Sequence, residues 1–438
     1  MRPSHPRRLA GLYLAQRTRF GVKFGLDTTR ALMDEMGHPE RAFPTLLVAG
    51  TNGKGSVVAC VDAVLRASGL RTGCYTSPHL VRMNERIAVN GRDITDHDFE
   101  IAVRAVRAAA ERLVRRGAVA AHPTFFEALT AAAFAHFRRK RVDVAVLEVG
   151  LGARLDATNV ANPIASAIVS VALDHEVYLG KTLASIAKEK AGVMRRGRPT
   201  VVGPLPADAL RAVRAQARST GARLVEARRG SRVVARGERV DLATPRRSFT
   251  SLRPLPGAHQ RDNLLVAVRL LEEARAKDLA VDLDALPAAI SRTRWPGRLE
   301  WIDGDPPLLL DGAHNPAGAR ALAAHLAERG PFVLLFAVMN DKDVAGIARA
   351  LFPRAADIVL TRPRLPRAME PAEIARRVGR TAARAHREPS VFRALALARR
   401  LARNHDPGTP VVVAGTLFLV GEVKGFLERP GPRNTRRN

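Results

Sequence analysis

Thr45-Leu-Leu-Val-Ala-Gly-Thr-Asn-Gly-Lys-Gly-Ser56 reads as a buried strand, a glycine-rich turn and the start of an amphipathic helix. That succession is phosphate-binding architecture. Gly50, Gly53 and Gly55 let backbone N–H groups approach a polyphosphate, and the helix start adds a positive dipole. Lys54 neutralises phosphate charge, and Thr51 or Ser56 can reach phosphate or metal. The usual phosphate-loop spacing is not met, because Val48 stands where the first glycine belongs and Gly55 separates Lys54 from Ser56. A chance glycine turn is the bland alternative; the strand before and the helix after weigh against it, so the segment by itself points to nucleotide binding.

Outward from this stretch, apolar runs ending in Gly or Asp alternate with alanine-rich helical stretches, the pattern of a mostly parallel sheet with crossover helices. The fold class is therefore α/β. Strands are expected at 45–48, 142–147 and 164–171, and helices around 56–68, 98–116 and 125–137. Each strand ends at a polar motif, as ligand-binding strands of open α/β sheets do. From about 222 to 252 the pattern turns short, basic and β-like, which reads as strands or a hairpin at the edge of a first domain. A second βα series begins near Trp301, with strands expected at 308–310, 332–336, 357–360 and 410–413. Trp295-Pro-Gly-Arg298 is the expected hinge, since Pro and Gly interrupt both helix and strand. The expected domains are 1–297 and 298–428, followed by a disordered basic tail at 429–438.

With 438 residues, 46% of them hydrophobic, the chain can bury two cores, and no apolar run is long enough to span a bilayer. Two cysteines, Cys60 and Cys74, are too few for a disulfide framework and suit a reducing, cytoplasmic setting. A formal charge of +29 would ordinarily suggest a polyanionic partner. Here only nine of the 71 basic residues are lysine, and the arginines are scattered with alanine along helices. Aromatic residues, 5% of the chain, do not interleave with the basic runs, so stacking platforms for single strands are absent. Neither nucleic acid nor membrane is expected as a partner, and the charge reads as a solvated surface that can steer anionic small molecules.

Further stretches carry a specific likeness: Thr76-Ser-Pro-His-Leu80, Thr124-Phe-Phe-Glu127, Glu148-Val-Gly-Leu-Gly-Ala-Arg-Leu-Asp-Ala-Thr-Asn159, Ile186-Ala-Lys-Glu-Lys-Ala-Gly192, Leu255-Pro-Gly-Ala-His-Gln260, Trp295-Pro-Gly-Arg298, Asp311-Gly-Ala-His-Asn-Pro316, Met339-Asn-Asp-Lys-Asp343 and Gly415-Thr-Leu-Phe-Leu-Val-Gly-Glu422. With Gly50-Thr-Asn-Gly-Lys-Gly-Ser56, and in this order over nearly the whole chain, they resemble the folylpolyglutamate and dihydrofolate synthases. That family lies within the Mur ligase superfamily. The resemblance implies an N-terminal P-loop-type ATPase domain with a mostly parallel sheet and a small β edge, then a C-terminal Rossmann-like domain. It also implies an ATP- and Mg2+-dependent ligase, monomeric, that joins L-glutamate to a pterin or folate carboxylate through an acyl phosphate.

Residue by residue, the resemblance assigns ATP to Thr51, Asn52, Gly53, Lys54, Gly55, Ser56, Asn263, Arg298, Asp311 and His314. It makes Ser77, Glu148 and His175 the magnesium ligands, and adds Lys190 if that lysine is carbamylated. Thr124, Phe125, Phe126, Glu127, Leu155, Asp156 and Ala157 fall along the pterin and aminobenzoate site, while Lys54, Lys190, His175 and Asp156 carry the catalytic roles. On the residues alone, His175 reads as a core or surface histidine, Asp174 as its acceptor or as a helix cap, and the two phenylalanines as core. The Arg-rich stretch 361–368 is a candidate for the incoming glutamate. Ala153 and Ala337 replace glycines usual in the family, and Thr416 and Phe418 stand for its serine and tyrosine; none of these changes removes a charge. The Leu-Asp-Ala-Thr-Asn form resembles the bifunctional bacterial members. A muramyl-peptide-type ligase and a basic nucleic-acid-binding NTPase are the alternatives.

Overall fold

In the computed structural model, which describes residues 9–17 and 25–428, strand β1 (Thr45–Ala49) is buried at every position. Its side chains alternate between two cores, Leu47 and Ala49 to one face and Leu46 and Val48 to the other. A strand apolar on both faces belongs in the middle of a sheet covered by helices on both sides. That is where β1 sits, between β5 (Val144–Glu148) and β6 (Ala165–Ile168), parallel to both. The remaining strands of this sheet are β2 (Thr72–Tyr75), β3 (Ile87–Val89), β4 (Arg92–Asp93), β7 (Pro199–Val202) and β8 (Arg223–Glu226). Their order is β4-β3-β2-β5-β1-β6-β7-β8, with β3 and β4 antiparallel and the others parallel.

The sheet belongs to a compact unit made of residues up to Pro78, Met83–Leu255 and Gln260–Arg294. The helices Lys54–Ala67, Asp96–Arg115 and Phe125–Lys140 stand where the sequence predicts them, each a few residues longer or shifted. β6 is shorter than the expected 164–171, because after Ile168 the chain leaves the sheet and bonds to the glycine-rich turn instead. The basic stretch 222–252 forms strands, as expected, and they divide between two sheets. Only β8 joins the edge of the main sheet; β9 (Arg232–Arg236), β10 (Arg239–Ala243) and β11 (Ser248–Leu252) form a separate antiparallel sheet. Val240, Leu242, Phe249 and Leu252 anchor that sheet to the core shared with the helix His259–Arg275, and its arginines face outward.

Among the described residues, the second unit comprises His79–Arg82, Pro256–His259 and residues 295–428. Its sheet runs β12-β13-β17-β14-β15-β16, with β12 (Glu300–Ile302), β13 (Leu308–Leu310), β14 (Phe332–Phe336), β15 (Ala355–Arg362), β16 (His386–Ser390) and β17 (Val411–Ala414). Only β12 is antiparallel to its neighbour. The four buried strands match the apolar runs in the sequence. β12 and β16 do not show there, because edge strands carry mixed residues such as His-Arg-Glu-Pro-Ser. In β14, Phe332, Leu334 and Phe336 enter one core while Val333 and Leu335 enter the other. The tail at 429–438 lies outside the described residues. Among the described residues, no helix is long and apolar enough to cross a membrane.

Candidate functional site

The strand order β2-β5-β1-β6 lines up the carboxyl ends of four parallel strands. Ser77 follows β2, Glu148 ends β5, the glycine-rich turn follows β1, and the segment from Ser170 to His175 follows β6. Four motifs far apart in sequence thus share one edge, the edge where open α/β sheets bind ligands.

The turn after β1 is strapped to the chain beyond β6. Thr51 N–H donates to Ser170 O at 2.9 Å, and the Thr51 hydroxyl bonds both Ala172 N–H (3.0 Å) and Ala172 O (3.3 Å). Ser170 Oγ accepts from Asn52 N–H at 2.9 Å and donates to Asn52 O at 2.8 Å. Gly53, with φ 82°, caps the helix Lys54–Ala67 without a side-chain cap. A Cβ there would collide with Asn263 Oδ1 and lie 2.9 Å from Val169 Cγ1, so only glycine fits. Lys54 Nζ arches back over the turn to Gly50 O (3.1 Å) and Thr51 O (3.2 Å). Gly55 and Ser56 are buried in the first helical turn. The result is a rigid turn with a lysine over it and an uncapped helix start behind it, which suits a polyphosphate.

Beside the turn, the buried Glu148 carboxylate accepts from Ser77 N–H at 3.0 Å, bringing these two predicted ligands together. His175 adopts a left-handed φ of 52°, and its N–H is held by Asp174 Oδ1 at 2.9 Å. Its Nε2 lies 4.0 Å from the same oxygen, beyond hydrogen-bond reach, so this oxygen fixes the backbone of His175. Lys190 is buried at the end of the helix Leu183–Lys190. Burial, with nearby Lys54 adding to it and Asp174 opposing, brings its ammonium down to about 7. Among the described residues, no three His, Cys, Asp or Glu side chains cluster as a metal site. The predicted set does not require one, since its third donor is the Ser77 hydroxyl.

The predicted pterin-side residues divide. Thr124 and Glu127 form a reciprocal capping box on the helix Phe125–Lys140, with Thr124 N–H and Oγ1 each donating to Glu127 Oε2 at 2.8 Å. Glu127 also receives Thr29 Oγ1 at 3.3 Å. Phe125 and Phe126 are half-buried against the core; the Arg86 guanidinium stands 5.3 Å from the Phe125 ring centre, and Phe126 lies against Gly150 and Tyr75. Asp156 is buried and accepts four bonds from its own loop, from Gly150 N–H, Leu151 N–H, Thr158 N–H and Thr158 Oγ1. Burial raises its pKa while those bonds pull the other way. Its carboxylate is the frame of the 150–158 loop, which carries the half-buried Leu155 and the buried Ala157.

In the second unit, Asp311 follows β13 and is also consumed locally, accepting from Leu299 N–H and Ala313 N–H at 2.9 Å each. His314 Nδ1 lies 2.7 Å from Gly312 O, so Nδ1 carries the proton. Arg298 donates to Gly297 O at 3.0 Å and lies across Gly312, where a Cβ would strike it.

Residues 48–271 match the family described as the Mur ligase middle domain, and residues 297–417 match the Mur ligase glutamate ligase domain. The chain is 35% identical over 406 residues to the folylpolyglutamate synthase of Lacticaseibacillus casei, covering 90% of this chain and 92% of that one. The chain belongs to the folylpolyglutamate synthase/dihydrofolate synthase family of Mur ligases. Among solved structures it resembles Mycobacterium tuberculosis folylpolyglutamate synthase complexed with ADP, with a TM-score of 0.90, 32% identity, and 98% and 99% of the two chains covered. A bifunctional folylpolyglutamate synthase/dihydrofolate synthase from Yersinia pestis, complexed with AMPPNP and Mn ion, aligns with a TM-score of 0.84 at 29% identity over 97% and 99%.

For this Mur ligase family member, the structure adds residues that the sequence reading missed. Ser170 bonds to Asn52 in the glycine-rich turn and Gln260 to Ser56 just after it. Gln260 stands inside a quoted motif, but Ser170 ends an ordinary apolar run and carries no signal. The departures from the family pattern sit quietly: Ala153 and Ala337 are fully buried, and Thr416 caps the helix Leu417–Leu427 through Phe418 N–H.

Proposed function

We propose that the protein is an ATP-dependent ligase that forms an amide between L-glutamate and the carboxylate of a pterin or folate. An unactivated carboxylate joins an amine only after activation, so ATP must phosphorylate it, and glutamate's amine then displaces phosphate from the acyl phosphate. The single observation that carries this reading is the alignment of the Lys54 turn, Glu148 with Ser77, and His175 on adjacent parallel strand ends. On this reading Thr51 to Ser56 seat the polyphosphate and Lys54 offsets its charge. Ser77, Glu148 and His175 hold Mg2+. The donor set fits a hard divalent cation, with histidine its softer member, and the metal would spread the charge that develops on the transferring phosphoryl group.

The neutral amine is the form that condenses with carbon dioxide, and a lysine lowered to about 7 holds much of its amine in that form at neutral pH, which supports Lys190 as a carbamate-bearing residue. Phe125, Phe126 and Leu155 supply half-buried apolar surface suited to a pterin and aminobenzoate. Thr124, Glu127 and Asp156 act by holding that surface in place. We further propose a cytoplasmic monomer that uses small-molecule substrates without a nucleic acid partner. The Leu155-Asp-Ala-Thr-Asn159 form and the likeness to the bifunctional Yersinia enzyme support action on both dihydropteroate and reduced folates.

The test is ATP- and Mg2+-dependent incorporation of labelled glutamate by the purified protein, with dihydropteroate and with a reduced folate monoglutamate in separate reactions. Product with both substrates is expected. Product with one alone would reduce the proposal to a specialist enzyme, and product with neither, while ATP still binds, would refute it.

A further inference from the structure

Ser56 is 2% exposed in the first turn of its helix, and its hydroxyl receives a hydrogen bond from Gln260 Nε2 at 3.1 Å. Gln260 is itself 3% exposed and lies 204 residues away in sequence, on the helix His259–Arg275. One turn further along that helix, Asn263 Nδ2 donates to Gln260 Oε1 at 2.8 Å. Asn263 in turn packs its carbonyl oxygen against Gly53, where a Cβ would collide with it. The three side chains therefore form a directional relay: Asn263 holds the carbonyl end of Gln260, and this turns the amide end of Gln260 toward Ser56.

A serine hydroxyl has one proton and two lone pairs. With a lone pair occupied by the Gln260 N–H, the proton cannot point toward Gln260 and is left to donate elsewhere. We infer that Gln260 is a positioning residue that makes the Ser56 hydroxyl a donor toward the nucleotide's phosphates. The inference rests on the reading of the Thr51 to Ser56 turn as the nucleotide seat. It explains why a buried, uncharged amide stands behind a phosphate turn where a lysine or arginine would add charge: its task is to orient one proton. A hydrogen bond from a correctly oriented donor to a charged oxygen is the stronger kind, so its direction matters more than its mere presence.

Gln260→Glu tests this, because it keeps the shape and still accepts from Asn263 but turns the partner of Ser56 into an acceptor, which captures the proton. The affinity for the non-hydrolysable analogue AMPPNP, measured by calorimetry on the full chain, should fall roughly 10- to 100-fold. The KM for ATP should rise in parallel, while the KM for the pterin or folate acid stays near its wild-type value. Gln260→Met, which matches the shape without charge or hydrogen bond, should cost only a few-fold, and melting temperatures report whether each variant is folded. The decisive comparison adds Ser56→Ala and the double variant. Losses that fail to add show that Gln260 acts through the Ser56 hydroxyl, whereas additive losses would mean that the glutamate's charge acts alone and would overturn the inference. Gln260→Glu binding within two-fold of wild type would also overturn it. Lys54→Ala separates the two readings: if it weakens AMPPNP while Gln260→Glu does not, only the relay fails, and if it too leaves binding unchanged, the nucleotide seat itself is misplaced.

Discussion

Two strand-to-helix turns in this molecule begin alike and end in opposite uses. After β1 the chain turns through Gly50 to Gly53 into the helix Lys54–Ala67, and after β13 it turns through Asp311 to Asn315 into the helix Pro316–Leu326. The first helix start has glycine at its cap and no side-chain cap, with a lysine arched over the turn. At the second, the Asn315 side chain accepts from Gly318 N–H at 2.9 Å, proline removes a donor at the first helical position, and Asp311 takes two more amides. The partial positive charge of a helix start is present in both, but only the second carries a side-chain cap. In the second, Asn315 caps the helix start, Pro316 brings no N–H, and Asp311 braces the chain just before it. The helix Phe125–Lys140 follows the second pattern through its Thr124 and Glu127 capping box.

Lys54→Ala should break the contrast most severely. Glutamate incorporation is expected to drop by about 1,000-fold or more, since a phosphate-neutralising cation is lost where charge develops, with the circular dichroism spectrum unchanged. Turnover near wild type at saturating ATP would remove the first turn from the mechanism. Gly53→Ala comes next. At a φ of 82°, with a Cβ driven into Asn263, it should weaken AMPPNP binding roughly 100-fold and cost about 1–3 kcal/mol of stability, read by titration calorimetry and denaturant unfolding.

Lys190 sharpens the comparison through pH. Its folded pKa near 7 lies below the ordinary 10.5, so between those values the unfolded chain binds the extra proton and stability rises with pH. In the nucleotide-free, uncarbamylated protein Lys190→Met should therefore be stabilising most at pH 7 and below, by on the order of 3 kcal/mol, with the gain vanishing toward pH 10. A pH-independent difference in urea midpoints would contradict this assignment. Smallest is Asn315→Ala, which removes the cap in the second turn and should cost about 1 kcal/mol in thermal unfolding, with a weaker effect on AMPPNP affinity than Gly53→Ala.

What could be read from the sequence has a common cause. β1, β5, β14 and β17 were legible because a strand buried on both faces needs an unbroken apolar run, and such runs are local. The strand–turn–helix around Gly50 to Ser56 was legible because glycine and lysine at those spacings act through their own backbone and charge. The strands β9 to β11 and β16 were harder to place because their residues serve two surfaces and the pattern does not say which strand they pair with.

The sequence by itself determined the α/β class, the glycine-rich turn between a buried strand and a helix, and the residue types proposed for a divalent cation. Only the tertiary structure decided how those side chains spend their hydrogen bonds. Asp156 and Thr124 are held by amides and a carboxylate of their own loop or helix start, while Glu127 also receives Thr29 Oγ1 and Asp311 also receives Leu299 N–H from farther off in the chain. Ser170 and Gln260 look ordinary, yet they meet the phosphate turn across separations of 118 and 204 residues. A carboxylate or hydroxyl has the same chemistry everywhere along the chain, and its role depends on which donors and acceptors folding brings within about 3 Å.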